Sequence, residues 1–268
     1  MRARTVKREY QYDFSKTSAG MYEAQGRERK AQTMVAVLED YFQVPLNKLC
    51  LLNVGSSSGM IDNYLAHYFR AVVGVDIDEP AIDQARDDFQ KDNLEFQVGD
   101  ALSLQFPANS FDVVICSQVY EHVPSPHKML DEIFRVLVPG GVCYFAAGNK
   151  LMWNEPHYNL PLLSAIPRPL AHAYIRLAKK APLYHELHYT YWGLRKLVGR
   201  FVIYDYTLKT ISCPKKYHID YMIPPGSIKA AIAKLIAGKL RWLSPGYIWL
   251  LEKPKKESRS DEGEFPTR

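Results

Sequence analysis

Short apolar runs alternate with helix-like stretches between residues 49 and 147. The runs have the length of β-strands, and the stretches between them have the spacing of amphipathic helices. This alternation is typical of repeated βαβ units and predicts an α/β fold with a parallel sheet. The predicted strands are Cys50–Val54, Ala71–Asp76, Leu94–Val98, Phe111–Cys116 and Val142–Ala147.

Helices are predicted before and between these strands. Ala19–Tyr41 is mostly polar and is expected to form one or two helices across the edge of the sheet. Pro80 and Pro126 stand near first-turn positions, where proline is well tolerated. The helices predicted between strands are Met60–Phe69, Pro80–Gln90 and Pro126–Leu137.

A change of pattern after Gly148 predicts a cap over the sheet. Residues 149–188 combine prolines with aromatic and imidazole side chains, among them Trp153, His157 and Tyr184. The segment is too apolar for a linker, so we expect a helical cap that covers the open end of the sheet.

Further elements are predicted beyond the cap. A helix near Tyr191–Val198 leads to Phe201–Ile211, which has a strong β pattern, and Tyr247–Leu251 has the pattern of a closing strand. A second insertion, from about Cys213 to Ser244, lies between those two strands. The polar tail is expected to be disordered.

Length and cysteine content narrow the class of protein. With 268 residues, of which 47% are hydrophobic, the chain can build one main domain with insertions. Its four cysteines form no CxxC pair, so we expect no zinc or iron–sulfur site and a reducing, cytoplasmic environment. Met1–Tyr22 has no apolar stretch, and no run reaches the roughly 20 residues of a membrane span. Neither a signal peptide nor a spanning helix is predicted.

The segment Gly55-Ser-Ser-Ser-Gly59 lies between the first predicted strand and the following helix. It forms a tight turn at the carboxyl end of the strand, where open α/β sheets bind ligands. A plain βα turn is one interpretation. A dinucleotide site would need three glycines spaced G-x-G-x-x-G, and only two are present, so a pyrophosphate ligand is disfavoured.

S-adenosylmethionine, a nucleoside joined to an amino acid without phosphate, is a second ligand for such a turn. Its site needs a bend for the methionine part, an acid for the ribose hydroxyls and a polar group at the adenine edge. Asp76 ends the second strand about 23 residues after Asn53, near the spacing at which a carboxylate reaches ribose hydroxyls. Asp100 follows the third strand and can accept from the adenine amino group. Val138-Pro-Gly-Gly141 makes the turn into the fifth strand.

Taken in order, these motifs resemble the core of class I S-adenosylmethionine-dependent methyltransferases of the type 11 group, over residues 49–148. The resemblance implies a Rossmann-like sheet of seven mostly parallel strands with an antiparallel last strand, to which Phe201–Ile211 and Tyr247–Leu251 would contribute the final two strands. With the cap, we divide the chain into an N-terminal helical segment, a cofactor-binding core, the helical cap, a C-terminal part of the sheet with a basic amphipathic insertion, and the tail. These segments are 1–45, 46–148, 149–188, 189–254 and 255–268.

The resemblance also assigns roles to single residues. Gly55 and Gly59 would line the methionine part of S-adenosylmethionine, Asp76 the ribose, and Asp100 with Ala101 the adenine. The full set of predicted cofactor-binding residues is Asn53, Gly55, Ser56, Ser57, Gly59, Asp76, Ile77, Asp100, Ala101, Ser117 and Gln118.

Two positions depart from the family pattern. An acid usually stands where this chain has Asn53, and a glycine where it has Ser57. Asn53 keeps an acceptor oxygen without the charge, and the Cβ of Ser57 narrows the loop. We expect S-adenosylmethionine to bind because the carboxylates for ribose and adenine remain.

Histidines supply the candidate catalytic groups. His122, in Tyr120-Glu-His-Val123 beyond the fourth strand, resembles the Glu-His pair of the family and is the first candidate for a general base. A histidine that only hydrogen-bonds the loop is the alternative. His157 is the second candidate, and His185 or His188 the third. No acid cluster of suitable spacing indicates a metal-dependent mechanism, so no metal site is predicted.

Charge is distributed unevenly along the chain. Residues 1–167 carry 15 Lys and Arg against 21 Asp and Glu, whereas residues 168–256 carry 17 against 4. Within the basic part, Ser227–Leu243 has an amphipathic pattern with lysines, followed by an apolar run to Leu251. One interpretation is a helix docked on the cap; the other is peripheral contact with an anionic membrane through residues 227–251, or recognition of an anionic acceptor.

Two classes of function remain open. The first is an O-methyltransferase acting on a small or lipid-linked acceptor, which an aromatic, histidine-bearing cap favours. The second is a methyltransferase-fold binding domain without turnover, which Asn53 and Ser57 favour. An NAD-dependent oxidoreductase is a distant third. No nucleic-acid partner is expected, since Gly148-Asn-Lys-Leu151 lacks the Asn-Pro-Pro-Tyr-like signature of amino-group methylation on bases.

Overall fold

The structure is a computed structural model that describes residues 23–255. The expectations for Met1–Tyr22 and for the tail from residue 256 onward lie outside the described residues. The strands of the described part are β1 (Cys50–Val54), β2 (Ala71–Asp76), β3 (Leu94–Val98), β4 (Phe111–Ser117), β5 (Leu137–Gly148), β6 (Asn154–Glu155), β7 (Leu160–Pro161), β8 (Val202–Asp205) and β9 (Gly246–Glu252).

Helices cover the sheet and continue into both insertions. Short 3-10 turns at Leu46–Lys48 and Arg241–Leu243 accompany them. The α-helices are α1 (Ala24–Tyr41), α2 (Met60–Leu65), α3 (Glu79–Asp88), α4 (Pro126–Val136), α5 (Arg168–Leu177), α6 (Tyr191–Leu197), α7 (Thr207–Ser212) and α8 (Ile228–Lys239). Among the described residues, no helix is long and apolar enough to cross a bilayer.

Seven of the strands form one sheet in the order β3-β2-β1-β4-β5-β9-β8. Strands β1 to β5 pair in parallel, and β9 pairs antiparallel with both β5 and β8. The predicted fold, a seven-stranded mostly parallel sheet with an antiparallel last strand, is confirmed. The order reverses at β1, which lies between β2 and β4, so the ligand-binding crevice of the sheet is at the carboxyl end of β1.

Successive side chains of a strand point to opposite sides of the sheet, and helices pack on both sides. Both faces of the sheet are therefore buried. On β4, Val114 and Cys116 join a cluster that includes Met129 of α4. Val113 and Ile115 join the opposite cluster with residues of α1 and α2. The central strands therefore hold the loops at their ends on a rigid base.

The strand predicted over Phe201–Ile211 is only partly correct. Strand β8 covers Val202–Asp205, and the chain then turns into α7. The Asp205 carboxylate accepts a hydrogen bond from the backbone N–H of Thr207 at 2.9 Å, which starts the helix. Alternating tyrosines before and after Asp205 resemble a strand in sequence, but this local side-chain bond ends the strand.

The cap is less helical than predicted. Residues 149–188 contain one helix, α5, and the short antiparallel pair of β6 and β7. Pro156, Pro161 and Pro167 remove backbone donors along the segment, which limits helix formation to residues after Pro167. Backbone bonds from Lys150 to Tyr189 and from Leu187 to Glu121 hold the cap against the ends of β4 and β5.

Candidate active site

The loop between β1 and α2 depends on its two glycines. Gly55 has φ +82°, and a Cβ there would lie 2.5 Å from Val119 in the turn after β4. Gly59 has φ +71°, and a Cβ there would lie 2.7 Å from Ala85 and Phe96. Only glycine fits both conformations without a clash. Gly55 therefore faces the turn after β4, whereas Gly59 packs against α3 and β3.

Ser57 occupies a position that suits glycine better. Its φ is +57°, in the left-handed region, and its backbone N–H donates to Asp76 Oδ2 at 2.7 Å. The Ser57 hydroxyl is buried and has no hydrogen-bond partner among the described residues. The side chain thus adds backbone strain and an unsatisfied hydroxyl inside the loop.

A buried carboxylate that the sequence analysis did not single out lies under this loop. Asp62, on α2, is fully buried, and its Oδ2 accepts hydrogen bonds from Asn53 Nδ2 at 2.9 Å and Ser56 Oγ at 3.0 Å. Burial raises the Asp62 pKa to about 7, although both hydrogen bonds act in the opposite direction. The amide at position 53, where the family pattern has an acid, is thus bonded to an acid nine positions later, in the first turn of α2. The only sequence signal is an acid at a position of α2 that faces the sheet.

Asp76 lies at the carboxyl end of β2, as the resemblance requires for ribose binding. Its Oδ1 accepts from the backbone N–H of Asp78 at 3.0 Å, and its Oδ2 from Ser57. Burial raises its pKa, and these backbone bonds oppose the rise. A carboxylate has about four acceptor positions, and the backbone N–H groups of Ser57, Asp78 and Ile77 use three of them, so about one remains for a hydroxyl donor. Ile77 follows it and is half-buried.

The turn after β3 lies next to Asp76. The backbone N–H of Gly99 donates to the Asp76 carbonyl at 2.9 Å, which joins the two strand ends. Asp100 shapes this turn by accepting from the Leu102 N–H at 2.8 Å, and Ala101 packs against the core. The structure thus brings the predicted ribose and adenine residues to one edge of the sheet.

Arg27 is a further functional candidate that the sequence analysis missed. It lies in the first turn of α1, is partly buried, and interacts electrostatically with Asp62 and Asp76. Burial lowers its pKa, whereas those carboxyl groups raise it. A guanidinium beside the β1 loop can bind the carboxylate of an amino-acid ligand. Its position in a mostly polar helix gave no sequence signal.

The turn after β4 connects the cofactor loop to the cap. Ser117 is the last residue of β4, and Gln118, with φ +59°, is exposed and donates its backbone N–H to Ala146. Tyr120 is buried and its hydroxyl donates to the Gly148 carbonyl at 2.6 Å. This bond fixes the turn that carries Glu121 and His122.

His122 and His157 come together although they are 35 positions apart. Their rings meet edge to face with centroids 4.8 Å apart, and both side chains are half-buried. The His157 Nδ1 lies 2.6 Å from Glu155 Oε1. Burial disfavours the imidazolium of His157, but the Glu155 carboxylate outweighs it and raises the His157 pKa. In turn, the hydrogen bond from His157 holds the Glu155 pKa at about 2 despite burial.

Two more acids and a third histidine complete the cluster. Glu121 and Glu186 are buried, and His188 lies with its Nε2 3.6 Å from Glu155 Oε1. That distance is too long for a hydrogen bond but allows a charge contact. Each clustered histidine follows a glutamate by one or two positions in the sequence, and this repeated Glu-His spacing is the signal that could have identified the acids.

The other histidines lie apart from this cluster. His185 is exposed, as are His67 and His127, and His172 Nδ1 accepts a bond from the Tyr184 N–H within the cap. Of the candidate bases, the structure therefore joins His122 and His157 with His188 and leaves His185 outside.

The residues present fit S-adenosylmethionine. Gly55 leaves the space that a Cβ would fill, and Arg27 offers a positive charge for the carboxylate of an amino-acid moiety. Asp76 offers an acceptor for a hydroxyl. The histidine and glutamate cluster lies on the β4 side of the same crevice, so a second substrate entering between the crevice and the cap would meet His122 and His157.

Comparison with known proteins gives the same assignment. Residues 52–145 match the family described as "Methyltransferase domain". The chain is 33% identical over 110 residues to the ubiquinone biosynthesis O-methyltransferase of Coxiella burnetii. The aligned region covers 40% of this chain and 47% of that protein. The protein of the same name from Psychrobacter cryohalolentis is 31% identical over 109 residues, and the aligned region covers 37% of this chain and 41% of that protein. The chain thus spans about half the length of the curated relatives it matches.

A solved structure shows that the fold similarity extends beyond the matched segment. The S-adenosylmethionine-dependent methyltransferase of Methanosarcina mazei has a TM-score of 0.54 and 21% identity, and the match covers 82% of this chain and 98% of that chain. At this identity the comparison supports the fold. The predicted cofactor, S-adenosylmethionine, is confirmed by the family match.

We predict that replacing Ser57 with Gly stabilises the protein. The change removes the left-handed strain of a side chain and an unsatisfied buried hydroxyl, so the free energy of unfolding should rise by about 1 kcal/mol. Ser58→Gly is the matched control, because Ser58 has no positive φ and should lose about 0.5–1 kcal/mol. Urea unfolding followed by circular dichroism measures both. Equal losses in the two variants would contradict the assigned strain.

We predict that Asp62 makes stability depend on pH. Between its unfolded pKa, about 4, and its folded pKa, about 7, the folded protein binds a proton that the unfolded chain has released. The free energy of unfolding therefore falls as pH rises through this window. Above the window it is up to about 4 kcal/mol lower than below it. Asp62→Asn lacks this proton, so its free energy of unfolding relative to the wild type should increase from pH 5 to pH 8. A constant difference across that range would contradict the prediction.

Proposed function

We propose that the protein methylates a hydroxyl oxygen of a small or lipid-linked, sugar-type acceptor. The proposal starts from the match of residues 52–145 to a methyltransferase domain of the type 11 group, with S-adenosylmethionine as its cofactor. The observation that carries the proposal is the meeting of His122 and His157 beside the β1 loop. One histidine comes from the turn after β4 and the other from the cap. The acceptor side of the crevice is thus formed by both parts of the molecule.

The cofactor supplies an electrophilic methyl group on a sulfonium. For transfer to a hydroxyl, the protein must orient the oxygen, exclude water and accept a proton. The His122–His157 pair can accept the proton as a general base, and Glu155 fixes the orientation of His157 through its Nδ1. The cap, held by backbone bonds of Leu187 and Lys150, would exclude water from the same place when an acceptor is bound.

Two observations support oxygen as the methylated atom. The curated relatives are named O-methyltransferases, although they share only part of the chain. Imidazoles backed by a carboxylate match the need of a hydroxyl, which must lose a proton during transfer. We accordingly place binding without turnover second; Ser57, with its strained backbone, is the feature that favours it.

We predict that His122→Ala lowers turnover by about 100-fold or more, the usual contribution of a general base. His127→Ala is the control, since His127 is exposed on α4. Transfer of a labelled methyl group is measured with sugars, glycolipids and phenols as acceptors. Cofactor binding by calorimetry should be unchanged in both variants. Heat of binding without transfer to any acceptor would support the binding domain, and a loss below threefold would return His122 to a structural role.

We further propose that α8 holds the protein against an anionic membrane surface. Ile228, Ile232 and Leu235 lie on one side of this helix and are 81%, 52% and 51% exposed, whereas the small Ala230 and Ala237 face the protein. A helix that only filled a docking site would bury its large side chains. The main contacts of α8 are with α7 and the Arg241–Leu243 turn, which favours the membrane surface over the alternative of a helix docked on the cap.

Charge identifies the surface that this face would contact. The part of the chain that contains α8 carries 17 basic against 4 acidic residues, and Lys229, Lys234 and Lys239 of the helix are exposed. Trp192 and Trp242 stack nearby with centroids 6.0 Å apart, and both are exposed. Exposed aliphatic and indole side chains beside lysines match the interface of an anionic bilayer. Such contact would bring the crevice to a lipid-linked acceptor.

We predict salt-sensitive sedimentation with vesicles that contain phosphatidylserine. Replacing Ile228, Ile232 and Leu235 with Ser should reduce the bound fraction at low salt several-fold, since the apolar contacts are lost. Val44→Ser is the control, because Val44 is exposed but lies far from α8 in the chain, in the acidic part. Equal binding to neutral vesicles, or unchanged binding of the triple variant, would rule out this surface.

A further inference from the structure

Three side chains from separate segments present metal-ligand atoms to one another at the edge of the cap. They are His122 from the turn after β4, His157 from the β6–β7 turn and Glu186 from the segment before α6. One ligand atom of each lies within 4.8 Å of the others. Ligand atoms around one divalent ion lie roughly 3–3.5 Å apart, as bonds of about 2.0–2.2 Å require. Small side-chain rotations would close the set around an ion.

His157 is already oriented as a metal ligand would be. Its Nδ1 is 2.6 Å from Glu155 Oε1, which leaves Nε2 as the atom directed away from the carboxylate. Glu155 is itself fixed, because it is fully buried and its Oε2 accepts from the Tyr158 N–H at 3.0 Å. A histidine that donates one ring nitrogen to a carboxylate while the other binds the ion is the usual arrangement in metal sites.

The charges of the cluster also favour a bound cation. Glu121, Glu155 and Glu186 are 1%, 0% and 2% exposed. Neither carboxylate oxygen of Glu121 accepts a hydrogen bond from another residue of the described part, although the group interacts with His157, His188 and Glu186. Burying the Glu121 carboxylate without a hydrogen bond from another described residue costs several kcal/mol if it is charged, and a nearby cation would offset that cost.

Arg168, a basic residue close to this cluster, interacts electrostatically with Glu186 and directs its hydrogen bonds to the backbone. Its guanidinium donates to the backbone carbonyls of Tyr184, His185 and Glu186. It therefore fixes the segment that carries Glu186. The Tyr158 hydroxyl lies against the Glu186 carboxylate, which places that side chain toward the histidines.

A second possible ligand set, Glu155, His157 and His188, is less suitable. It would require the short bond between Glu155 and His157 to open. His188 is also almost fully buried, with 1% of its side chain exposed, so no exchangeable ligand could reach the ion. In the first set, by contrast, His122 and His157 are both half-buried and leave an accessible side.

We propose that His122, His157 and Glu186 bind one divalent transition metal ion, and that its open coordination position receives the hydroxyl oxygen of the acceptor. Two imidazoles and one carboxylate are the ligands of many catalytic zinc sites and also suit Mn²⁺, Fe²⁺ and Co²⁺. The second half of the proposal rests on the proposed methyl transfer. Coordination would lower the pKa of the hydroxyl, so that its proton passes to solvent on the accessible side. The two histidines would then act as ligands and not as the base. As the oxygen–methyl bond forms, the methyl–sulfur bond of the sulfonium breaks and the donor leaves as a neutral thioether.

Metal binding by the full chain tests the site directly. After treatment with a chelator, the protein is titrated with Zn²⁺ in a calorimeter and with Co²⁺ in a spectrophotometer, and bound metal is counted after gel filtration. We expect one ion per chain and a Co²⁺ spectrum without thiolate charge transfer. Cys213→Ser, at an exposed cysteine, should leave both unchanged.

Zn²⁺ binding by single variants distinguishes the proposed ligands from neighbouring residues that do not bind the ion. His157→Ala and Glu186→Gln should each weaken Zn²⁺ binding by more than 100-fold, and Glu155→Gln, which removes the orienting charge, by about 10–100-fold. His185→Ala is the matched control, since His185 adjoins Glu186 in sequence but is exposed. Circular dichroism identifies variants that fail to fold. In that case His122→Gln, which removes another proposed ligand, is tested for the same loss of Zn²⁺ binding.

The outcomes distinguish this inference from the proposed function. One bound ion without methyl transfer to any acceptor supports the metal site and counts against the methyltransferase activity. Methyl transfer at full rate by chelator-treated protein that holds no metal overturns the metal site and leaves the activity intact. The metal site is likewise overturned if much less than one ion binds per chain, or if the ligand variants bind Zn²⁺ as tightly as the wild type.

Discussion

The position of β1 between β2 and β4 is the constraint on which the rest of the site depends. Parallel pairing on both sides brings the carboxyl ends of three strands together, and the order of the sheet reverses there. The loop after β1 must therefore pass close to the turn after β4. Gly55 and Val119 show how close, because a single Cβ on the glycine would fill the gap. The cofactor loop and the histidine-bearing turn are consequently held at a fixed separation by the sheet itself.

The loop after β1 has its buried acid at position 62, on the following helix, and not at position 53, in the strand. Asn53 donates its amide to Asp62, and Ser56 donates its hydroxyl to the same oxygen. The carboxylate lies below the loop, where it is fully buried and its charged form is disfavoured. An acid at position 53 would lie at the end of a strand. The acid of this chain instead depends on two neutral donors for much of its stabilisation.

Periodicity was sufficient to predict most of the fold. The strands from Cys50 to Val98 were predicted with the observed limits, because buried parallel strands are short apolar runs between clear turns. The pattern failed at Phe201–Ile211, where Asp205 ends the strand by a side-chain bond that hydrophobic periodicity does not encode. The apolar content of residues 149–188 predicts a segment that packs on the sheet, but it does not predict helices, which the prolines limit to α5. Such errors arise where local hydrogen bonds or backbone restrictions, rather than burial, determine the structure.

The candidate site was less predictable, for a related reason. Motif spacing located Asp76 and Asp100 because strand ends have a fixed distance along the chain. Arg27 and Asp62 lie on helices, where only the packing of the helix determines which side chain reaches the loop. The clustered histidines come from three segments, and no spacing rule connects a turn after β4 with residues of the cap. Tertiary contacts alone bring them together.

The composition of this junction argues that it serves chemistry. Three carboxyl groups and three imidazoles lie where the cap meets the sheet, and all three carboxyl groups are buried. Apolar side chains of similar volume would stabilise the same contact at least as well, since buried ion pairs rarely repay the loss of hydration. Yet the backbone bonds from Leu187 and Lys150 that hold the cap do not require any of these side chains. The attachment of the cap and the charge of the cluster are thus separable, and only the charge needs a ligand or a reaction to explain it.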